Sequence, residues 1–267
     1  LHAIENQKFN KNKKFLCSGH VSFGNRKFHC WKKEGHGFVN LHEAIEKSCD
    51  CYFYNLAKTL KIDDLAKFSS LFSYGQTTGI DIPNELKGIM PNREWKIKNR
   101  GEKWQKGETL NTVIGQGFML STPLQITLMT ARIATGKKII PSIVLNKNEF
   151  ENLNINNKNL EFIKSSMFSV VNESTGTAFN SKLSGYQKMA GKTGTSQVRR
   201  ISMEEREDGV IKNEELNYKL RDHSIFTCFA PFDNPKYSLS VIAEHMGSGS
   251  KVAAPIAKRI MELALKY

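Results

Sequence analysis

Lys192-Thr193-Gly194-Thr195-Ser196-Gln197 is the stretch whose residue types could do chemistry. It reads as part of a strand running over about 186–197, with a glycine set inside it. Glycine in a strand interior costs stability unless another backbone or a ligand must come close. A lysine and two threonines flank that bare backbone, so one strand edge offers a cation, two hydroxyls and peptide N–H groups. Such an edge suits a substrate with a carboxylate and a carbonyl that becomes an oxyanion. Lys-Thr-Gly alone is short enough to arise by chance, and an edge strand with a bulge is the plain alternative. A second candidate is Ser48-Cys49-Asp50. A hydroxyl and an acceptor two residues apart at a helix junction can aim into one cleft. Ser48 could then relay a proton and Asp50 orient a substrate amide, while the plain alternative is that both cap helices.

A third constellation is Cys17, Cys30, His36 and Cys49. These four carry the donor set of a Cys₃His zinc site. His36 lies in the turn Gly35-His36-Gly37, where an imidazole projects freely, and Cys49 lies inside the Ser48–Asp50 motif. The spacings exceed those of compact zinc fingers, and His20, His29 and Cys51 could substitute as ligands. The alternative is one Cys17–Cys30 disulfide with Cys49 buried. The donor count favours a structural zinc. Cys228, on a core strand, is assigned to packing.

The elements that must position these residues follow from periodicity. Residues 1–40 read as loop with short strands. Asn40 caps a helix whose face is Leu41, Ile45, Cys49, Phe53 and Leu56. Ser48 and Asp50 interrupt it, so two helices or a short loop are expected there. A further helix runs from about Asp63 to Phe72. Residues 75–118 are rich in glycine and turn signals. Ser121 or Thr122 caps a helix with Pro123 in its first turn, ending at Gly136. A strand is predicted near Lys138 to Leu145, asparagine-rich loop over 146–159, and a helix over Leu160 to Val171. Residues 199–221 are charged and lack a core face, so they read as an exposed excursion. Strands Ser224 to Ala230 and Tyr237 to Glu244 pair antiparallel with the motif strand. A helix closes the chain over about Val252 to Leu265. The whole reads as one α+β unit over 1–267, with a helical lobe and insertions over about 38–175 and the sheet and terminal helix over about 176–267.

With 267 residues, 39% of them apolar, the chain can bury a sizeable core. No apolar run approaches the ~18 residues of a membrane span. The net charge is +13, yet the basic residues are dispersed and no RNA-reading aromatic motif accompanies Lys11, Lys13 and Lys14. Nucleic acid is therefore not an expected partner. The odd count of five cysteines does not make a closed disulfide framework.

Ser-Cys-Asp and Lys-Thr-Gly-Thr, in that order, resemble the second and third motifs of the penicillin-recognising serine acyltransferases. Trp31 to Gly37, Thr78-Gly79-Ile80-Asp81, Pro91 to Trp95, Gly107 to Gln125, Arg221-Asp222-His223 and Phe229-Ala230-Pro231 resemble the penicillin-binding protein 2 family, class B transpeptidases of cell elongation in rod-shaped Gram-negative bacteria. The likeness runs from Trp31 onward. It implies the penicillin-binding/serine β-lactamase-like fold, a central antiparallel sheet flanked by helices with a helical lobe. It implies a serine acyl-enzyme on D-Ala-D-Ala stem peptides, with β-lactams as mimics and no cofactor for catalysis. It implies the periplasmic face of the inner membrane, an N-terminal anchor outside these residues, and a membrane glycan polymerase and elongation-complex proteins as partners. An oxidising periplasm weighs toward the Cys17–Cys30 disulfide. Carried over by motif, Ser48 shuttles a proton and Lys192 supplies positive potential and holds Ser48. Thr193 and Thr195 bind the terminal carboxylate, and the Thr195 N–H is half of an oxyanion hole, one such donor being worth ~3 kcal/mol. Asp50 stands where many relatives have Asn and, ionised, it only accepts hydrogen bonds. A β-lactamase would be expected to have shorter insertions.

The first motif of that family, Ser-x-x-Lys, is absent ahead of Ser48. The one match is Ser248-Gly249-Ser250-Lys251, which comes after the last strand, and Ser250 reads there as an N-cap. At the family's usual distance the nucleophile falls before Leu1. The chain is therefore expected to resemble a transpeptidase domain cut after the start of its nucleophile helix, and to be inactive alone. The alternative is a non-catalytic fragment or scaffold of the same fold.

Overall fold

The computed structural model describes residues 1–6, 9–145, 149–199, 201, 205 and 210–266. The first 40 residues form helix α1 (His2–Glu5) and two small antiparallel ribbons. One pairs β1 (Phe15–Cys17) with β4 (Gly37–Val39), the other β2 (His20–Phe23) with β3 (Arg26–His29). Cys17, Val21, Cys30 and Val39 turn inward from these ribbons onto the core of the helices.

Asn40 accepts from the Glu43 N–H and Glu43 returns the bond to the Asn40 N–H, a capping box that starts α2 (Leu41–Glu46). The helix stops because Ser48 takes a left-handed conformation, φ 53°. A new helix, α3 (Asp50–Ala57), begins two residues later. Helix α4 (Ile62–Ser69) and a single 3₁₀ turn, Ser70–Phe72, occupy the stretch expected as the second helix.

The turn-rich region holds two helices that its composition conceals. Helix α5 (Arg93–Arg100) is capped by Asn92 and closed by left-handed Gly101. Helix α6 (Lys106–Thr112) starts on a Gln105–Glu108 capping box. Helix α7 (Pro123–Thr135) has Thr122 as its cap and Gly136 as its left-handed stop, as the sequence predicts. Its Gln125 is fully buried, and its amide bridges the carbonyls of Ser73, Gln76 and Lys87. One side chain thus ties the turns of 73–88 to the helix.

No strand forms over 138–145. Lys137 makes an isolated bridge with Asn152, and Asp81 takes the Ile143 N–H and the Ser142 hydroxyl. Pro141, which has no N–H to give, interrupts the run, and Ile140, Ile143, Val144 and Leu145 are exposed. Helix α8 (Asn157–Asn172) starts inside the predicted loop because Asn156 caps it; residues 146–148 of that loop lie outside the described residues.

Strands β5 (Ala190–Ser196), β6 (His223–Ala230) and β7 (Tyr237–Ala243) form an antiparallel sheet in that order. The predicted strand at 186–189 is not part of β5. Residues Phe226, Cys228 and Ala230 pack on Ala253, Ala254, Ala257 and Met261 of the terminal helix α9 (Ala253–Ala264). The alternate residues of β6 face the other way: Thr227 bonds Thr130 of α7 at 2.7 Å, and Phe229 joins the core of the helical part. Helices therefore cover both faces of the sheet. Ser250 does not cap α9. The Ala253 N–H donates to the Ser224 hydroxyl of β6 at 3.0 Å, while Ser250 bonds Ser248. The sheet supplies the cap because Ser224, fully buried, needs the partner as much as the helix does. Of the excursion at 199–221, the described part holds two single 3₁₀ turns, Asn213–Glu215 and Tyr218–Leu220; residues 200, 202–204 and 206–209 lie outside the described residues.

Candidate active site

Ser48 and Lys192 meet. The Lys192 ammonium donates to the Ser48 hydroxyl and to the Thr193 carbonyl at 3.1 Å. From the left-handed turn, the Ser48 hydroxyl reaches Lys192 and Thr193 on the sheet edge. Burial lowers the Lys192 pKa to about 8, with Asp50 acting in the opposite sense. Burial raises Asp50 to about 7, and nearby Cys30 pushes the same way. Asp50 does not cap α3 through its side chain; it accepts the Trp31 N–H at 3.0 Å, and the Trp31 indole donates to the Lys47 carbonyl at 3.1 Å. Trp31 thus holds both sides of the Ser48 turn.

β5 is an edge strand, and its outward backbone can be read from two bonds. Thr193 offers its carbonyl to Lys192, and Thr195 offers its carbonyl to the Gln116 amide at 3.1 Å. In an antiparallel strand a residue's N–H and C=O point to the same side. The Thr195 N–H therefore faces the open edge, where a developing oxyanion could take it. A Cβ on Gly194 would meet Ile225 no nearer than 3.4 Å, an ordinary contact. Protein packing does not require glycine there. Gly191, by contrast, has the Phe226 ring at 2.5 Å and the Thr227 carbonyl at 2.7 Å from its Cβ position.

Sequence reasoning missed three residues at this site. Thr177, on the loop after α8, stands 2.8 Å from the Thr193 hydroxyl and 3.4 Å from that of Ser48. Gln116 reaches across to β5, and Trp31 braces the Ser48 turn. Gln116 and Trp31 fall in stretches that carry the family likeness but imply no role for them; Thr177 has no local signal.

Behind Ser48 the ligand atoms of Cys17, Cys30, His36 and Cys49 all lie within 4.8 Å of one another. All five cysteines are free, so no Cys17–Cys30 disulfide is present. The His36 Nδ1 is 3.5 Å from the Cys17 sulfur and 3.6 Å from that of Cys30. A tetrahedral zinc with Zn–N of ~2.0 Å and Zn–S of ~2.3 Å implies an N···S edge of about 3.5 Å. Thiols of Cys49 and Cys51 hydrogen-bond toward Cys30, which pulls the Cys30 pKa down and pushes theirs up. The donor set and its spacing are those that suit a cation. The residues therefore fit a zinc ion. His20 and His29 instead face each other across the β2–β3 ribbon, ring centroids 6.0 Å apart.

A hydroxyl bonded to a buried lysine, beside an open strand edge lined with threonines, is the arrangement expected from the order of the two motifs. Residues 1–262 match the family model described as the penicillin binding protein transpeptidase domain, and the chain belongs to that family. It is 38% identical over 253 residues to the peptidoglycan D,D-transpeptidase MrdA of Acinetobacter baumannii, covering 89% of this chain and 37% of the relative. With MrdA of Escherichia coli K12 it shares 33% over 240 residues, 85% of this chain and 37% of the relative. The chain thus spans well under half the length of these curated relatives. Among solved structures, the penicillin-binding protein PBP2 of Helicobacter pylori in complex with MreC superposes with a TM-score of 0.86 at 34% identity, covering 99% of this chain and 47% of that one. PBP2 of Pseudomonas aeruginosa in complex with WCK 5153 gives 0.85 at 33% identity, with 99% and 58% covered. These likenesses bear out the α+β transpeptidase fold and the penicillin-binding protein 2 resemblance.

Proposed function

We propose that this chain supplies the substrate-binding and proton-transfer half of a D,D-transpeptidase of cell-wall elongation. The observation that carries it is the bond from Lys192 to Ser48 across the open edge of β5. Ser48 passes a proton between the acyl-forming serine and the departing or attacking nitrogen. Lys192 polarises Ser48 and attracts the substrate carboxylate. Thr193 and Thr195 hold that carboxylate or its β-lactam equivalent, and the Thr195 N–H receives the oxyanion. Gly194 keeps the strand bare so that an extended D-Ala-D-Ala end can lie along it as an added strand. Asp50, bound to Trp31, shapes the turn and faces Lys192 with its charge. Zinc at Cys17, Cys30, His36 and Cys49 would be structural, tying the 17–36 ribbons to the Ser48 turn; none is needed for the acyl chemistry. By the likeness to PBP2, the partners are a membrane glycan polymerase and elongation-complex proteins such as MreC, at the periplasmic face of the inner membrane.

The 267 residues carry no Ser-x-x-Lys ahead of Ser48. We infer that by themselves they form no acyl-enzyme; the second reading is a scaffold that keeps the fold without turnover. Fluorescent penicillin and intact-mass measurement separate the readings. The chain alone is expected to stay unlabelled. The same chain joined at Leu1 to a Ser-x-x-Lys segment from a relative is expected to be labelled on that serine. Labelling of the chain alone contradicts the inactivity, and a folded but unlabelled fusion supports the scaffold.

A further inference from the structure

We propose that Thr177 is a positioning residue that lets a free carboxylate at Thr193 set the direction of the Ser48 proton; this rests on the transpeptidase reading above. The Thr177 hydroxyl sits 2.8 Å from that of Thr193 and 3.4 Å from that of Ser48, and Ser48 and Thr193 are themselves 3.4 Å apart. The three oxygens form a triangle beside the Lys192 ammonium.

Counting protons fixes what this triangle can do. Each hydroxyl has one proton and two lone pairs, and an ammonium only donates. Lys192 therefore occupies one lone pair of Ser48. The second must be open if Ser48 is to accept a proton from the reacting serine and pass its own to the departing nitrogen. In the empty site Thr193 can donate to Thr177, and Thr177 can donate to Ser48. That chain fills the second lone pair and blocks the relay. A carboxylate can only accept, so once bound it takes the Thr193 proton. The 2.8 Å bond must then run from Thr177 to Thr193. Thr177 has no proton left for Ser48, and the Ser48 lone pair is released. Bonds in such a chain also strengthen one another. Ligands with no acceptor at the carboxylate position leave that blocking order available.

The fold holds Thr177 for this task. A Cβ on Gly176 would lie 2.3 Å from the Ser169 carbonyl and 2.4 Å from that of Val170. The loop is therefore pressed against the end of α8, and the Ala178 N–H donates to Val170 at 2.9 Å. The Thr177 N–H donates to the Glu46 carbonyl at 3.3 Å, and the Glu46 carboxylate takes the Thr175 hydroxyl. Glu46 ends α2, two residues before Ser48. His42, also on α2, bonds Ser166 and Ser169 of α8 at 3.1 and 3.0 Å. The supports of Thr177 and Ser48 are thus one rigid unit.

The test is calorimetric titration of the chain with an acylated Lys-D-Ala-D-Ala tripeptide and with its isopropylamide twin, in which a methyl group replaces the terminal carboxylate and nothing accepts from Thr193. Thr177→Val is expected to weaken binding of the free acid about fivefold and leave the amide unchanged. Thr177→Ser is expected to restore the acid to within about twofold. Thr177→Ala, expected to follow Thr177→Val, serves if the valine variant does not fold. Equal affinity of wild type and Thr177→Val for the acid overturns the role, as does an equal loss for acid and amide, which marks a general structural effect. If wild-type protein binds neither compound, the transpeptidase reading fails and takes this role with it.

Discussion

Lys192 carries the sharpest physical tension in the molecule. Its ammonium is buried and its pKa is lowered to about 8, while the unfolded chain would hold that proton up to the ordinary lysine value near ~10.4. Between those values the unfolded state binds more protons, so stability rises with pH through the window. The stability of wild type relative to Lys192→Met is therefore expected to rise by about 1–2 kcal/mol between pH 7 and pH 10. Urea unfolding at both pH values reads the difference. An unchanged gap between wild type and variant contradicts a buried, strained ammonium. The lysine, its threonines and Ser48 were legible in sequence because their motif order is specific. Thr177, Gln116 and Trp31 were not legible as site residues, because their roles arise from loops that meet only in the folded chain.

At the scale of elements, β5 sorts its glycines by cause. Gly191→Ala forces a methyl into the Phe226 ring and the Thr227 carbonyl and is expected to cost about 2–3 kcal/mol. Gly194→Ala meets only Ile225 at van der Waals distance and is expected to cost under ~1 kcal/mol while weakening binding of a D-Ala-D-Ala peptide. Thermal melts with peptide titration separate the two; a fold that tolerates alanine at 191 as well as at 194 contradicts the assignment. Ser224→Ala is expected to cost about 1 kcal/mol or more by removing the cap of α9, and Ser250→Ala close to nothing, again by urea unfolding. The capping boxes of α2 and α7 could be read locally because cap and partner lie three residues apart. The cap of α9 could not, since strand β6 supplies it from 29 residues away. Helices α5 and α6 hid among turn residues for a related reason: Asn92, Gly101 and Gln105 mark helix ends as well as turns. The run at 138–145 has strand composition, but Asp81 takes the Ile143 N–H that a neighbouring strand would have needed.

Over the whole molecule, two buried clusters meet at the site. One joins the ribbons and helices, with Ala190 and Phe229 from the sheet; the other joins the sheet and α9, with Val170 and Val171 from α8. The Cys17–Cys49 cluster pins the ribbons of the first cluster to the turn bearing Ser48. Protein purified without chelator is expected to carry one zinc per chain, and its removal to lower Tm on the order of 10 °C. Metal analysis showing no zinc, together with a mapped Cys17–Cys30 disulfide, contradicts the zinc site. The α+β architecture was legible because three strands in succession, two of them joined by a tight turn, favour antiparallel pairing; the four donors were legible by type, while their convergence to one point shows only in the folded chain. The central claim is that Ser48 and Lys192 face one groove shaped for a D-Ala-D-Ala end. Its most direct test is NMR titration of the labelled chain with a stem pentapeptide ending in D-Ala-D-Ala and with its L-Ala-L-Ala counterpart. The expected result is saturable shifts of the Gly194 and Thr195 amides with the D,D peptide, lost in Lys192→Met and absent with the L,L peptide. Equal shifts from both peptides, or none from the D,D peptide, contradict it.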